Sequence, residues 1–228
     1  MQTELSQPGP LLDANGKLAQ VGWSRKPLLD CNLENSRFHR FRIKRWDYYA
    51  VFTPQRFFSA TIADLGYAGN IFVYTLEFAT GELHEEGLVI PLGNGIKLER
   101  NPEAGEASFV NDKVSLQFQA DGDERRVKVD WAGFNNGRGI HADITLRTLP
   151  EHESMNIIIP IGEKRFYDNT KINCMTAQDI SNMAINAKTC SLKPASARWI
   201  GGAVCGNIKA TGIGPARRAS YQISKPSG

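Results

Sequence analysis

Strand-like segments fill the chain up to about Met175 and then stop, so whatever folds has to be built from roughly the first 176 residues. Before the break, Val114-Ser-Leu-Gln-Phe-Gln119 and Val127-Lys-Val-Asp-Trp131 alternate strictly across the turn Asp121-Gly-Asp-Glu124. A period of two puts apolar side chains on one face of a strand and polar ones on the other. After the break, the stretch from Arg198 to Ala219 has neither a helical nor a strand period, and no cluster of polar turn residues. From Gln178 onward Lys188, Lys193, Arg198, Lys209, Arg217, Arg218 and Lys225 stand against Asp179 alone, so the chain's charge of +3 belongs to the tail. The body is slightly acidic.

Residues 1–37 read as an irregular lead-in, punctuated by Pro8, Gly9, Pro10 and Asn15-Gly16. Residues 38–176 read as one β-domain, and 177–228 as a poorly ordered tail. Within the β-domain, residues 41–52, 59–65, 71–78, 83–90, 140–146 and 155–159 join the two alternating segments as strands. Gly81, in Ala79-Thr-Gly-Glu82, suits the left-handed position of a short loop, which predicts a hairpin between 71–78 and 83–90. At least eight strands, Gly/Asn/Asp turns and no convincing helix predict a mainly β fold: an antiparallel sandwich or a lipocalin-like barrel, and an incomplete one.

Four segments, Gly22-Trp-Ser-Arg-Lys-Pro-Leu-Leu-Asp-Cys-Asn32, Arg42-Ile-Lys-Arg-Trp-Asp-Tyr-Tyr49, Ala63-Asp-Leu-Gly-Tyr-Ala-Gly69 and Glu163-Lys-Arg-Phe-Tyr-Asp-Asn-Thr-Lys-Ile-Asn173, occur in this order. Together they resemble the uncharacterised family catalogued as domain of unknown function 2804, over roughly residues 10 to 176. The resemblance implies a continuation into a strand and a D-W-G-R-G-x-W block, which is missing here. The codon table accounts for the loss. A residue read two bases along takes the last base of one codon and the first two of the next, so Trp199-Ile200 forces Asp. One permitted choice at each boundary from Arg198/Trp199 to Arg218/Ala219 gives LDWGRGVWEYQSYWNWASASG, an aromatic, strand-compatible string. The expectation is therefore a chain truncated by a frameshift.

No run of about 18 apolar residues is present, so no membrane-spanning helix is expected. The first ten residues lack a basic segment followed by an apolar one, which points to a cytoplasmic location. Cys31, Cys174, Cys190 and Cys205 form no CxxC pair, so neither a disulfide nor a metal site is expected, and no cofactor motif is present. The glycines around Asn94 and in residues 201–214 do not follow a strand and open a helix with a phosphate-binding Lys. An acidic body, with no aromatic stacking surface beside Arg217-Arg218, gives no reason to expect nucleic acid.

The chemistry-bearing candidates each have a plainer reading. Lys44, Trp46 and Tyr48 share one strand face, where an aromatic floor with a cation at its edge would hold a ligand. Arg45, Asp47 and Tyr49 share the other, and the plainer reading is a core with a salt-bridged rim. Asp64 and Tyr67 suit a pocket mouth, yet an Asp before a Gly-containing turn is more often the turn's own acceptor. His141 and Asp143, two apart, would permit a general-base pair; a structural His is the commoner case. Arg25, Lys26, Arg165 and Lys171 would converge on a carboxylate or phosphate if the lead-in folds across the barrel, and are otherwise solvated loop charge.

Two functions fit these residues. The first is a β-walled module that binds an apolar or amphipathic small molecule, with Trp46, Tyr48, Tyr67, Arg25 and Lys171 as contacts. The second is a lipid-directed enzyme, hydratase- or isomerase-like. The family's two-lobed β architecture is similar at fold level to carotenoid hydratases, and Asp47 with Lys171, or His141 with Asp143, would then supply the reacting pair. A frameshifted chain is also compatible with a non-functional remnant.

Overall fold

The computed structural model describes residues 3–36, 40–150, 154–162, 165–172, 175–178, 184–185 and 203–211, with the backbone alone at 176, 178, 184–185 and 203–211. His39, His152 and Arg217-Arg218 lie outside the described residues, as does most of the tail. The strands are β1 (Gly9–Pro10), β2 (Gly22–Ser24), β3 (Leu29–Asp30), β4 (Ile43–Phe52), β5 (Arg56–Asp64), β6 (Ala68–Glu77), β7 (Glu82–Pro91) and β8 (Ala104–Val110). They continue as β9 (Val114–Asp121), β10 (Glu124–Trp131), β11 (Ile140–Arg147), β12 (Ser154–Ile161), β13 (Arg165–Ile172), β14 (Thr176–Gln178), β15 (Ala184–Ile185) and β16 (Ala203–Thr211).

Eight strands form one sheet in the order β2-β12-β13-β16-β4-β5-β6-β7, all pairings antiparallel. The second sheet runs β14-β11-β10-β9-β8, with β15 also on β11. Neither sheet closes on itself, so of the two expected architectures the sandwich forms and the lipocalin-like barrel does not.

Both predicted hairpins are present. β6 pairs with β7 through Ile71↔Leu88 and Leu76↔Leu83. Gly81 supplies the positive φ of 70° that their short loop needs. β9 pairs with β10 through Leu116↔Val129 and Phe118↔Val127. Between residues 38 and 172, two strands are new relative to the sequence reading, β8 and β13. β8 carries too little alternation to stand out, and β13 falls on a segment read as polar loop. Phe166, Asp168, Thr170 and Ile172 of β13 nonetheless alternate and face inward, all buried.

The sandwich core lies between the two inner faces. Tyr49, Val51, Phe58, Ala60, Ile62, Ile71 and Val73 of the large sheet meet Leu116, Phe118, Val127, Val129, Ala142, Ile144 and Leu146 of the small one. Tyr49 meets Phe118 edge-on at 5.0 Å between ring centroids, the geometry that aromatic quadrupoles favour.

The lead-in is docked. Leu5, Leu11, Leu12 and Cys31 pack on Ile158 and Phe166, covering the inner face of β12 and β13 where the small sheet does not reach. Asn32 donates to the Leu12 carbonyl and accepts from its N–H, both at 2.8 Å. Gly22 is required here, because the chain at Thr3 approaches so closely that a Cβ would stand 2.1 Å from the Thr3 carbonyl oxygen.

Three strands reach past residue 176: β14 and β15 pair with β11 of the small sheet, and β16 enters the large one. β16 pairs on both sides, with β13 from Tyr167↔Ala210 to Ile172↔Cys205 and with β4 from Ala203↔Val51 to Thr211↔Ile43. Two facing strand edges satisfy their N–H and C=O groups with any chain that has few barriers to extension, and periodicity of side chains is not needed for that.

Phe118 is 2% exposed at the centre of the core. Phe118→Ala is expected to cost about 3–5 kcal/mol in chemical denaturation. Gln117→Ala, one residue away on the outer face, should stay within about 0.5 kcal/mol.

Candidate functional site

The two outward faces of the sandwich differ in chemistry. On the small sheet, Gln117, Gln119, Glu124, Arg126, Lys128, Asp130, His141, Asp143, Thr145 and Arg147 face outward, as their cross-strand register requires. Arg126 grips Asp143 with two hydrogen bonds of 2.8 Å, Arg147 meets Glu124 at 3.0 Å, and His141 Nδ1 meets Asp130 Oδ1. The hydrogen-bonded Arg126 guanidinium holds the Asp143 carboxyl below its usual range, although partial burial opposes it. The expected pair of His141 and Asp143 is therefore not formed. They share a face, but each is engaged by a residue on β10.

On the large sheet the outward face is aromatic and aliphatic. Reading across the strands, one row contains Met155, Lys171, Gly206, Tyr48, Thr61, Phe72 and Gly87, and the next Trp23, Ile157, Asn169, Ile208, Trp46, Ala63, Asn70 and Val89. Tyr167 and Tyr74 stand on the same face. Ser59, Thr61 and Ala63 of β5 form its buried floor, while Trp46, Tyr48, Phe72 and Tyr74 on the flanking strands are half-buried walls. Exposed large side chains collect here as well: Phe52, Leu83, Val89, Met155 and Ile161 all project outward from this sheet.

Electrostatics follow from this crowding. Burial raises the Tyr48 hydroxyl pKa, with the Ser59 hydrogen bond working against it, and burial raises that of Tyr167. Tyr74 is pushed up to about 12, by burial first and then by donating to Glu85 at 2.9 Å. Thr61 Oγ1 and Asn169 Oδ1 are buried on this face without a hydrogen-bond partner.

Of the residues expected to form a site, Trp46, Tyr48 and Lys171 come together on this face, and Arg25 borders it with its guanidinium 5.6 Å from the Trp23 ring centroid. Tyr67 sits at the end of the sheet, 54% exposed, with the Lys44 ammonium 4.4 Å from its ring centroid. Burial lowers the Lys44 pKa and Asp64 partly restores it. Asp64 proves to be the acceptor of its own turn, taking the Gly66 N–H at 2.7 Å.

Asp47 is on the wrong side for a pair with Lys171. Asp47 aligns with Asn207 and Lys171 with Gly206, so the pleat sends them to opposite faces. Asp47 instead lines a cleft with Tyr49, Glu99, Glu106 and Phe118. A neighbouring cleft is lined by Cys31, Arg100, Asn156, Asp168 and Thr170, and Asn156 donates to both Asp168 (2.8 Å) and Thr170 (3.0 Å). Each cleft has room for little more than a water molecule. No group of three or more metal-ligating side chains occurs among the described residues.

The sequence reading missed Trp23, Phe72, Tyr74, Tyr167 and the isoleucines of β12. The alternation of Ile71 to Phe78 held the signal for Phe72 and Tyr74, which an amphipathic strand reading assigns to a solvent face.

Tyr74 generates a pH prediction. A folded-state pKa of about 12 above an unfolded value of about 10 means that the unfolded chain loses its proton first. Stability contributed by the protonated phenol is present below pH ~10 and falls as pH rises towards 12. Absorbance titration of phenolate should show a late step near pH 12 that Tyr74→Phe removes; its persistence in that variant would refute the assignment.

No helix among the described residues is long and apolar enough to cross a membrane. No curated protein and no solved structure matches the chain. A family does match, over residues 2–199, and the motifs that suggested it lie on the elements just described: Trp23 in β2, Trp46 to Tyr49 in β4, Asp64 at its turn, and Arg165 to Ile172 as β13. The chain belongs to the family described as domain of unknown function (DUF2804).

Proposed function

We propose that this protein binds an apolar or amphipathic small molecule on the outward face of its eight-stranded sheet. The observation that carries this reading is the contrast between the two outward faces. The small sheet is finished with a ladder of ion pairs, as a solvated surface should be. The large sheet presents Trp23, Trp46, Tyr48, Phe72 and Tyr74 with exposed Leu83, Val89 and Met155 beside them. A contiguous apolar surface of this kind marks an interaction site, and aromatic walls over a floor of small side chains suit a flat or chain-like ligand.

The enzyme reading is less well supported. The register sends Asp47 and Lys171 to opposite faces, and His141 and Asp143, though on one face, are engaged by Asp130 and Arg126.

The tail after about residue 177 is, on this reading, translated out of frame. Support comes from the codon-overlap string alone; the family match runs past residue 177, to 199. The nucleotide sequence across codons 170–228 decides the frame. An open shifted frame continuing downstream fits a frameshift; a stop shortly after, in that frame, rejects it.

A neutral probe such as Nile red tests the site. Its fluorescence should rise on binding, and Tyr48→Ser with Phe72→Ser should weaken binding about tenfold or more. Lys128→Ser, on the charged face, should leave it unchanged. Equal binding by all three proteins would remove this face as the site.

A further inference from the structure

We propose that the ligand of the aromatic face is a long-chain amphipath with an anionic head, a fatty-acid-like carboxylate, seated along β12 with its head at the Met155 end. This rests on the reading of that face as a binding surface and specifies what it binds.

The argument starts from β12. Its outward residues are Met155, Ile157, Ile159 and Ile161, an uninterrupted aliphatic strip, and the two end residues are 40% and 39% exposed. Over six residue steps at ~3.3 Å per residue the strip is about 20 Å long, enough for a long-chain acyl group. Trp23 lies opposite Ile157 on one side and Tyr167 opposite Ile159 on the other, so rings flank the strip.

Charge is placed at one end of it. Lys171 is directly opposite Met155. Arg25 follows Ser24, the residue opposite Asn156, and its carbonyl accepts from the Ser154 hydroxyl, which brings Arg25 to the same end. Arg25 makes a long, exposed contact with Glu4 at 3.5 Å, a pairing that a surface carboxylate gives up readily. Lys171 is exposed and has no ion-pair partner among the described residues. Arg165, opposite Ile161, marks the other end.

Apart from Glu4 at the edge beside Arg25, the described acids of the outward face reduce to Glu85, already held by the Tyr74 hydroxyl. A net acidic body thus carries a cation-rimmed apolar face. An anionic head group complements those cations, and a neutral one does not. The plainer alternative is that they are solvated gatekeepers that keep an apolar sheet from pairing, and the two readings differ in whether the head group's charge matters.

The full-length chain is titrated with palmitate, with hexadecanol and with hexadecylamine, each kept below its aggregation threshold and read by displacement of Nile red. Palmitate should bind at least about tenfold tighter than hexadecanol, and hexadecylamine weakest. Arg25→Gln with Lys171→Gln, both exposed and so tolerant of change, should bring palmitate and hexadecanol to equal affinity, whereas Lys128→Gln on the charged face should leave the preference for palmitate as it was. Equal binding of acid and alcohol to the unaltered chain overturns this inference and leaves the apolar site standing. Failure of all three ligands together with Nile red overturns the site itself. Sedimentation with anionic vesicles, without palmitate binding, identifies a membrane surface as the partner and likewise overturns the proposal.

Discussion

Every placement in this molecule depends on the two-residue period of the β pleat, because it sorts the residues of each strand irreversibly between two environments. In β4 the period sends Tyr49 and Val51 into the core and Trp46 and Tyr48 out of it. In β10 it sends Val127 and Val129 in, and Arg126 and Lys128 out. The small sheet obeys the usual rule of one apolar and one wet face. The large sheet breaks it, with apolar side chains on both. A strand buried on both sides reads as a continuous apolar run, and Arg56–Asp64 comes close, with Phe58, Ala60 and Ile62 inward and Ser59, Thr61 and Ala63 outward, all buried. A sheet of this composition is built to have something on each face, and the small sheet and the lead-in cover one of them.

The central position of β16 matters for the same reason. Without a strand between β13 and β4, the aliphatic strip of β12 and the aromatic wall of β4 would belong to separate sheets. With it, Lys171 and Tyr48 fall in one row either side of Gly206. The outward face as a continuous surface is thus a consequence of that main-chain pairing.

Much of this was legible in the residues. The Val114 to Gln119 and Val127 to Trp131 alternation fixed a hairpin and its core face, and Gly81 marked a turn, because each signal is local and has one physical reading. Asp64 as a turn acceptor was legible for the same reason. Lys171 with Asp47 was not. Sequence spacing tells which face of its own strand a residue takes, but the relative parity of β4 and β13, some 120 residues apart, is set only when β16 joins them. The strip Met155-Asn-Ile-Ile-Ile159 was likewise opaque, since a run of isoleucines says that a strand is apolar without saying which of them face out. The segment Arg165 to Ile172 looked like loop because its inward residues include Asp168 and Thr170, polar groups made tolerable by Asn156.

The most direct measurement of the central claim is the response of individual tryptophans to a bound amphipath. Trp23 and Trp46 stand on the outward face of the large sheet, whereas Trp131 lies in the sandwich interior at 7% exposure. With indole nitrogens isotopically labelled, a nitroxide-bearing long-chain amphipath should broaden the Trp23 and Trp46 N–H resonances and leave Trp131 sharp. Broadening of Trp131 ahead of the other two would place the ligand between the sheets and contradict binding on the outward face.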